Sequence, residues 1–369
     1  MTSTFRLGRI AGIEIGVNWT WLAVFALIVW TWATGVFPDA VPGRSEAAYW
    51  VIAVIASLLF FGSLLLHELG HALQARREGM QIDGITLWLL GGVAKFRGVF
   101  PSAGAEFRIA IAGPLVSLVI GVVFIAAAIA YSGDDAVDTV LLWIGQINII
   151  LLVFNLLPAL PLDGGRVLRS ALWWLRGDFG FATRIAATIG RAFGALFVLG
   201  GIALAIFRPE ERTNGLWTAL LGWFLFSAAT SEAHAGAVYQ AIAGRRVGDL
   251  MVRQPTTVRP DQTIGELMDG MIWTDRHAAY PVVDDGHPVG LLAFEAIAGV
   301  PRQEWDDRRV RDAMIPLREV AVVHENDPLD QALATFTELS DRALVVDDGR
   351  LTGVLSAADV ARDLQRGRG

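Results

Sequence analysis

The residues with the clearest chemical potential lie in FGSLLLHELGHALQ, Phe61 to Gln74. His67 and His71 are four residues apart, and Glu68 follows the first. On a helix, positions i and i+4 share a face. The pattern H-E-x-x-H then offers two imidazole ligands to one metal ion, with a carboxylate one step round that can contact a metal-bound water. The surroundings are apolar. Ionisable groups in such a setting are costly unless they are paired or face a wet cavity.

Two histidines do not complete a site. A catalytic zinc usually has three protein ligands and one position left for water. The chain has no Cys, so the third ligand must be His, Asp or Glu. The other histidines (His234, His277, His287, His324) fall at or beyond the last long apolar run. The best remaining candidate is Asp163, in NLLPALPLDGGRVLRS. On its own, an aspartate there also reads as a helix-terminus cap or part of a tight turn.

The elements that must position these residues are membrane spans. Of 369 residues, 54% are hydrophobic and only 18% charged, against about a quarter charged in soluble domains. The net charge of -7 argues against a nucleic-acid partner. A span needs about 20 apolar residues. Six runs meet or approach that length: Ile15 to Pro38, Ala47 to Leu66, Ile109 to Tyr131, Thr139 to Leu162, Ile185 to Phe207 and Asn214 to Ser231. Arginines and a lysine crowd the segment before the first run and the loops after the second and fourth. By the positive-inside rule both termini are cytoplasmic. The N-terminus has no cleavable signal pattern. The second and fourth spans both run inward, so His67, His71 and Asp163 are expected at similar depth, near the cytoplasmic face. Pro158 and Pro161 should interrupt the helix beside Asp163.

HELGH in one span, with NLLPALPLDGG in a later one, resembles the site-2 protease family of intramembrane metalloproteases over roughly residues 5 to 240. The resemblance implies that His67, His71 and Asp163 bind one zinc ion and that Glu68 is the catalytic carboxylate. It also implies that Asn155 contacts the substrate backbone or the oxyanion. GGVAKF, Gly91 to Phe96, resembles the family's membrane-dipping hairpin, whose edge can pair with an unwound substrate. Gly91 and Gly92 are therefore expected substrate contacts, although a double glycine also suits a plain turn. FRLGRIAGIEIGVNW is similar to the family's N-terminal hairpin. Asn18 stands where many relatives have His, so it receives no zinc or catalytic role.

The last 120 or so residues repeat at an offset of 63. VVDDG occurs at Val282 to Gly286 and again at Val345 to Gly349, and VGDLM from Val247 matches VRDAM from Val310. Each unit reads as strand, helix, strand, turn, strand, helix. This resembles a tandem pair of CBS domains, which commonly bind adenosine nucleotides (ATP, ADP or AMP) between the units. The ribose-binding pattern is present as Ser356 and Asp359, whereas the first unit has Ala293 and Ala296 there. A purely structural or homodimerising module is the alternative.

The expected fold class is a polytopic α-helical membrane protein of six transmembrane helices with a cytoplasmic α/β tandem CBS module. The expected division is a transmembrane metalloprotease domain over 1–238, a linker over 239–246, and CBS domains over 247–300 and 301–369. The expected function is regulated intramembrane proteolysis. A zinc metalloprotease in the lipid bilayer of the cell membrane, the inner membrane in a bacterium, would cut a transmembrane protein near the cytoplasmic face, regulated by adenosine nucleotide at the CBS module. The rival is a CBS-regulated transporter or channel using the same His, Glu and Asp as an ion path.

Overall fold

The computed structural model describes residues 4–88, 91–97, 100–131, 133–270, 278–336 and 340–366. They fall into two compact units, Met1–Ala237 and Val238–Gly369. His277 lies outside the described residues.

The first unit opens with strands β1 (Phe5–Ile10) and β2 (Ile13–Val17). Asn18 then caps helix α1 (Trp19–Thr31), its side-chain oxygen accepting the Thr20 amide at 3.1 Å. A π-helical stretch, Trp32–Val36, carries α1 into α2 (Phe37–Ala40). There follow α3 (Glu46–Arg77), β3 (Gln81–Trp88), β4 (Gly91–Arg97), α4 (Ala103–Ala130) and α5 (Asp135–Asn155). The unit continues with α6 (Asp163–Arg176), α7 (Phe179–Phe207) and α8 (Arg212–Ile242).

Among the described residues, five stretches are long and apolar enough to cross a membrane: Trp19–Ala40, Glu46–Arg77, Ala103–Ala130, Asp135–Asn155 and Phe179–Phe207. They carry the first five expected runs, with two shifts. The first run begins as strand, because Ile15 and Val17 are buried in a sheet. The fourth helix stops at Asn155, just before Pro158 and Pro161. The sixth run lies in α8, whose Trp, Thr, Ser and Gly keep it out of this set of five. Its backbone nevertheless lies directly on α7. A Cβ at Gly194 would come 2.8 Å from the Gly222 carbonyl oxygen, and one at Gly201 would come 2.4 Å from the Ala219 nitrogen. Small residues are what permit such an approach.

The four strands form one sheet in the order β1-β2-β3-β4. Two antiparallel hairpins are joined by the parallel pair β2–β3, and β4 is left as an edge. Ile13, Ile15 and Ile85 of the sheet pack on Leu69 and Ala72 of α3. The sheet therefore rests on the helical turn that carries His71.

The second unit holds β5 (Val252–Arg253), α9 (Ile264–Gly270), β6 (Ala279–Asp284), β7 (His287–Ala293), α10 (Phe294–Ala298) and α11 (Val310–Ala313). It continues with β8 (Ile315–Pro316), β9 (Ala321–Val323), α12 (Leu329–Ala334), β10 (Arg342–Asp347), β11 (Arg350–Ser356) and α13 (Ala357–Arg366). The repeat is visible in the turns. Asp285 and Gly286, like Asp348 and Gly349, all have positive φ, as a tight hairpin turn requires. The sheets are β5-β11-β10-β9 and β6-β7-β8. Each repeat thus lends its first strand to the other: β5 pairs with β11, and β8 with β7.

Candidate metal centre

His67 and His71 lie one turn apart on α3, both buried. Their Nδ1 atoms are held by α4. His71 Nδ1 donates to the Ile109 carbonyl at 2.7 Å. His67 Nδ1 lies 2.9 Å from the Ser117 hydroxyl, which accepts from it in the same tautomer. Each ring then has a bare Nε2, the form that ligates metals, fixed by the bond on its other nitrogen.

Asp163 is the first residue of α6, so the segment DGG is a helical first turn and not a tight loop turn. A Cβ at Gly164 would lie 2.2 Å from the Leu156 carbonyl oxygen. The helix start must therefore be bare to pass the segment that follows α5. Asp163 Oδ2 lies 3.2 Å from His67 Nε2 and 3.2 Å from His71 Nε2. The two Nε2 atoms are also 3.2 Å apart. The three donors form an equilateral triangle. A tetrahedral zinc with bonds of about 2.0 Å has ligand-to-ligand edges of about 3.3 Å. The donor set, its spacing and the tautomers all fit the metal. Among the described residues no other His and acidic side chains form such a group of three.

Two features of this centre carry no signal in H-E-x-x-H. Gly113 of α4 faces the histidines, and a Cβ there would lie 2.2 Å from His71 Nε2 and 2.7 Å from His67 Nε2. Ser117 sits one turn further along. Small residues four apart in a span suggest a close-packed face, and that pattern was the available clue.

The triangle opens into a cavity of about 360 Å³, lined also by Glu68, Asn155, Gly91, Gly92, Trp88 and Arg166. Glu68 lies under β4, where a Cβ at Gly92 would meet its Cγ. Further along α6, the buried Arg169 donates to Glu106 of α4 at 2.7 Å and to Glu232 of α8 at 3.2 Å. In the second unit Ser356 and Asp359 contact each other. The Asp359 carboxylate accepts from the Ser356 hydroxyl at 2.6 Å and from its amide at 3.2 Å. His287 donates to the Gly349 carbonyl at 2.8 Å.

Residues 55–138 and 130–198 match the profile of Peptidase family M50, and residues 247–300 and 310–366 match that of the CBS domain. The Mycobacterium tuberculosis protein Rip3, which carries a zinc-metalloprotease name, is 37% identical over 368 residues, 98% of this chain and 93% of that one. Zinc metalloprotease MJ0392 of Methanocaldococcus jannaschii is 30% identical over 364 residues, 98% and 96% of the two chains. The solved site-2 protease from Methanocaldococcus jannaschii shares 30% identity with a TM-score of 0.44, covering 62% of this chain and 94% of that one. The chain therefore belongs to peptidase family M50, as a site-2-protease-type zinc metalloendopeptidase with a tandem pair of CBS domains.

Proposed function

We propose that the first unit hydrolyses a peptide bond of a transmembrane protein near the cytoplasmic face, with one zinc ion held by His67, His71 and Asp163. The observation that carries this reading is the 3.2 Å triangle of donors opening into a cavity that Glu68 also lines. When bound, zinc supplies a Lewis acid that polarises a carbonyl and lowers the pKa of water to about 7. Glu68 takes a proton from the attacking water and passes it to the leaving nitrogen. Asn155 donates its amide to the substrate carbonyl from the cavity wall. The free edge of β4 at Gly91 and Gly92 pairs with the substrate as an added strand. That pairing offsets the backbone bonds lost when the substrate helix unwinds.

The antiparallel packing of α8 on α7 supports α8 as a sixth span. An even count, with the loop charges, supports a cytoplasmic position for both termini. The ion-path alternative is not favoured, since relatives that match over nearly the whole chain carry zinc-metalloprotease names. For the tail we infer an adenosine-nucleotide site in a cavity of about 480 Å³ lined by Thr256, Arg342, Ser356, Asp359 and Arg362.

Glu68→Gln should keep its metal and lose about 10² to 10⁴ in rate. Asp163→Ala should lose metal, while Asp138→Ala, in the first turn of α5, should not. Metal content and cleavage are measured on the same purified protein. Full activity in Glu68→Gln, or equal metal in the two aspartate variants, would overturn the assignment.

A further inference from the structure

Two arginines on α6 have opposite circumstances. Arg169 is fully engaged. It bonds Glu106 and Glu232, and its guanidinium stands 5.0 Å from the Phe179 ring. Arg166 lies one turn nearer the metal centre, on the face of α6 that carries Asp163, since positions three apart are neighbours. Its nearest charged partner is Glu232, with Nη2 3.8 Å from Oε1, beyond hydrogen-bond reach. Its Nε is buried with no acceptor. Yet Arg166 lines the same cavity as Glu68, Asn155 and Asp163.

The Arg166 side chain is half-buried, but a buried Nε with no acceptor is costly unless something accepts from it. Its planar fork matches a carboxylate, and charge-assisted bonds of this kind are roughly twice as strong as neutral ones. Glu68 and Asp163 line the same cavity, but among the described residues no side chain accepts a hydrogen bond from Arg166. What enters this cavity during turnover is a peptide carbonyl. What is left on the acyl side after hydrolysis is a carboxylate.

Resting on the protease reading above, we propose that Arg166 is a second substrate-contacting electrophile. It donates to the acyl-side oxygen of the cleaved bond and holds the new C-terminal carboxylate of the product, with Glu232 keeping the guanidinium in place. The water oxygen joins the carbonyl carbon, the C–N bond breaks, and the nitrogen leaves with the proton that Glu68 delivers. Arg166 exchanges no proton. Its part is to stabilise negative charge that grows on oxygen.

The test is equilibrium binding of an acetylated alanine–leucine hexapeptide to the full-length zinc-loaded protein. The free acid is compared with the C-terminal amide, and metal content is measured in every sample. Wild type should prefer the acid. Arg166→Gln should reduce that preference by about tenfold or more with metal unchanged. Arg166→Lys, which keeps the charge but not the fork, should restore part of it. An acid preference that survives Arg166→Gln overturns the proposal, as does equal binding of acid and amide by wild type. Loss of preference together with loss of metal also overturns it, because Arg166 would then be supporting the ligands. Cleavage by the same wild-type preparation separates this failure from failure of the protease reading.

Discussion

His67 and His71 are fixed more by α4 than by their own helix. Ile109 and Ser117 set the rings, and Gly113 leaves the space in which their Nε2 atoms meet Asp163. Gly113→Ala should therefore lower metal occupancy sharply. Gly62→Ala, on α3 where a Cβ meets nothing within 4 Å, should hold metal like wild type and gain up to about 1 kcal/mol of helix stability. Ser117→Ala should weaken zinc binding by about 10- to 100-fold, the usual cost of removing a partner behind a ligand. Competition with a chelator measures all three, and a Gly113→Ala protein with wild-type affinity would contradict the geometry. The pair of histidines was legible in the sequence because i, i+4 spacing is local. Asp163 needed the topology of two distant spans as well. Ser117 and Gly113 left only their four-residue spacing as a sign, because their role depends on how deeply α4 slides against α3.

At the scale of elements, the turn after α3 is tied to the start of α4. Arg108 donates to both oxygens of Glu78, each at 2.7 Å. The Arg108 hydrogen bonds hold the Glu78 carboxyl below its ordinary value, with burial opposing and Gln74 assisting. A depressed carboxyl contributes stability above its unfolded pKa of about 4.3 and loses it as pH falls through the native value. Arg108→Gln should therefore melt below wild type at pH 7, and the gap should close as the pH is lowered past about 4. A gap independent of pH would mean that Arg108 acts through packing alone. Long apolar helices were readable from composition, whereas the two hairpins came only from the resemblance to the family. The parallel pairing of β2 with β3 came from neither. It joins Ile15 to Ile85 across α1, α2 and α3, and no local pattern encodes a contact so far apart.

For the molecule as a whole, the tail poses the regulatory question. Its cavity draws Thr256 and Ala279 from the first repeat and Arg342, Ser356 and Asp359 from the second. ATP, ADP and AMP titrated against cleavage should change the rate by roughly 5- to 150-fold, the usual range of such coupling. Asp359→Ala should abolish the change. Asp359 also caps α13 with Ser356, so the variant's tail should melt about 1 kcal/mol lower. No binding at millimolar nucleotide would leave Ser356 and Asp359 as a helix cap and nothing more. The 63-residue repeat made the tail's architecture legible, but the exchange of first strands was hidden because either hairpin could have accepted either strand. That exchange has a consequence for synthesis. Val252 and Arg253 find their partners at Val354 and Gly353, about 100 residues later. At about 5 to 20 residues per second, the ribosome needs roughly 5 to 20 s to deliver them. Throughout that interval the first repeat waits with an unpaired strand, open to chaperones and proteases. The last strand out of the tunnel decides when the tail is safe.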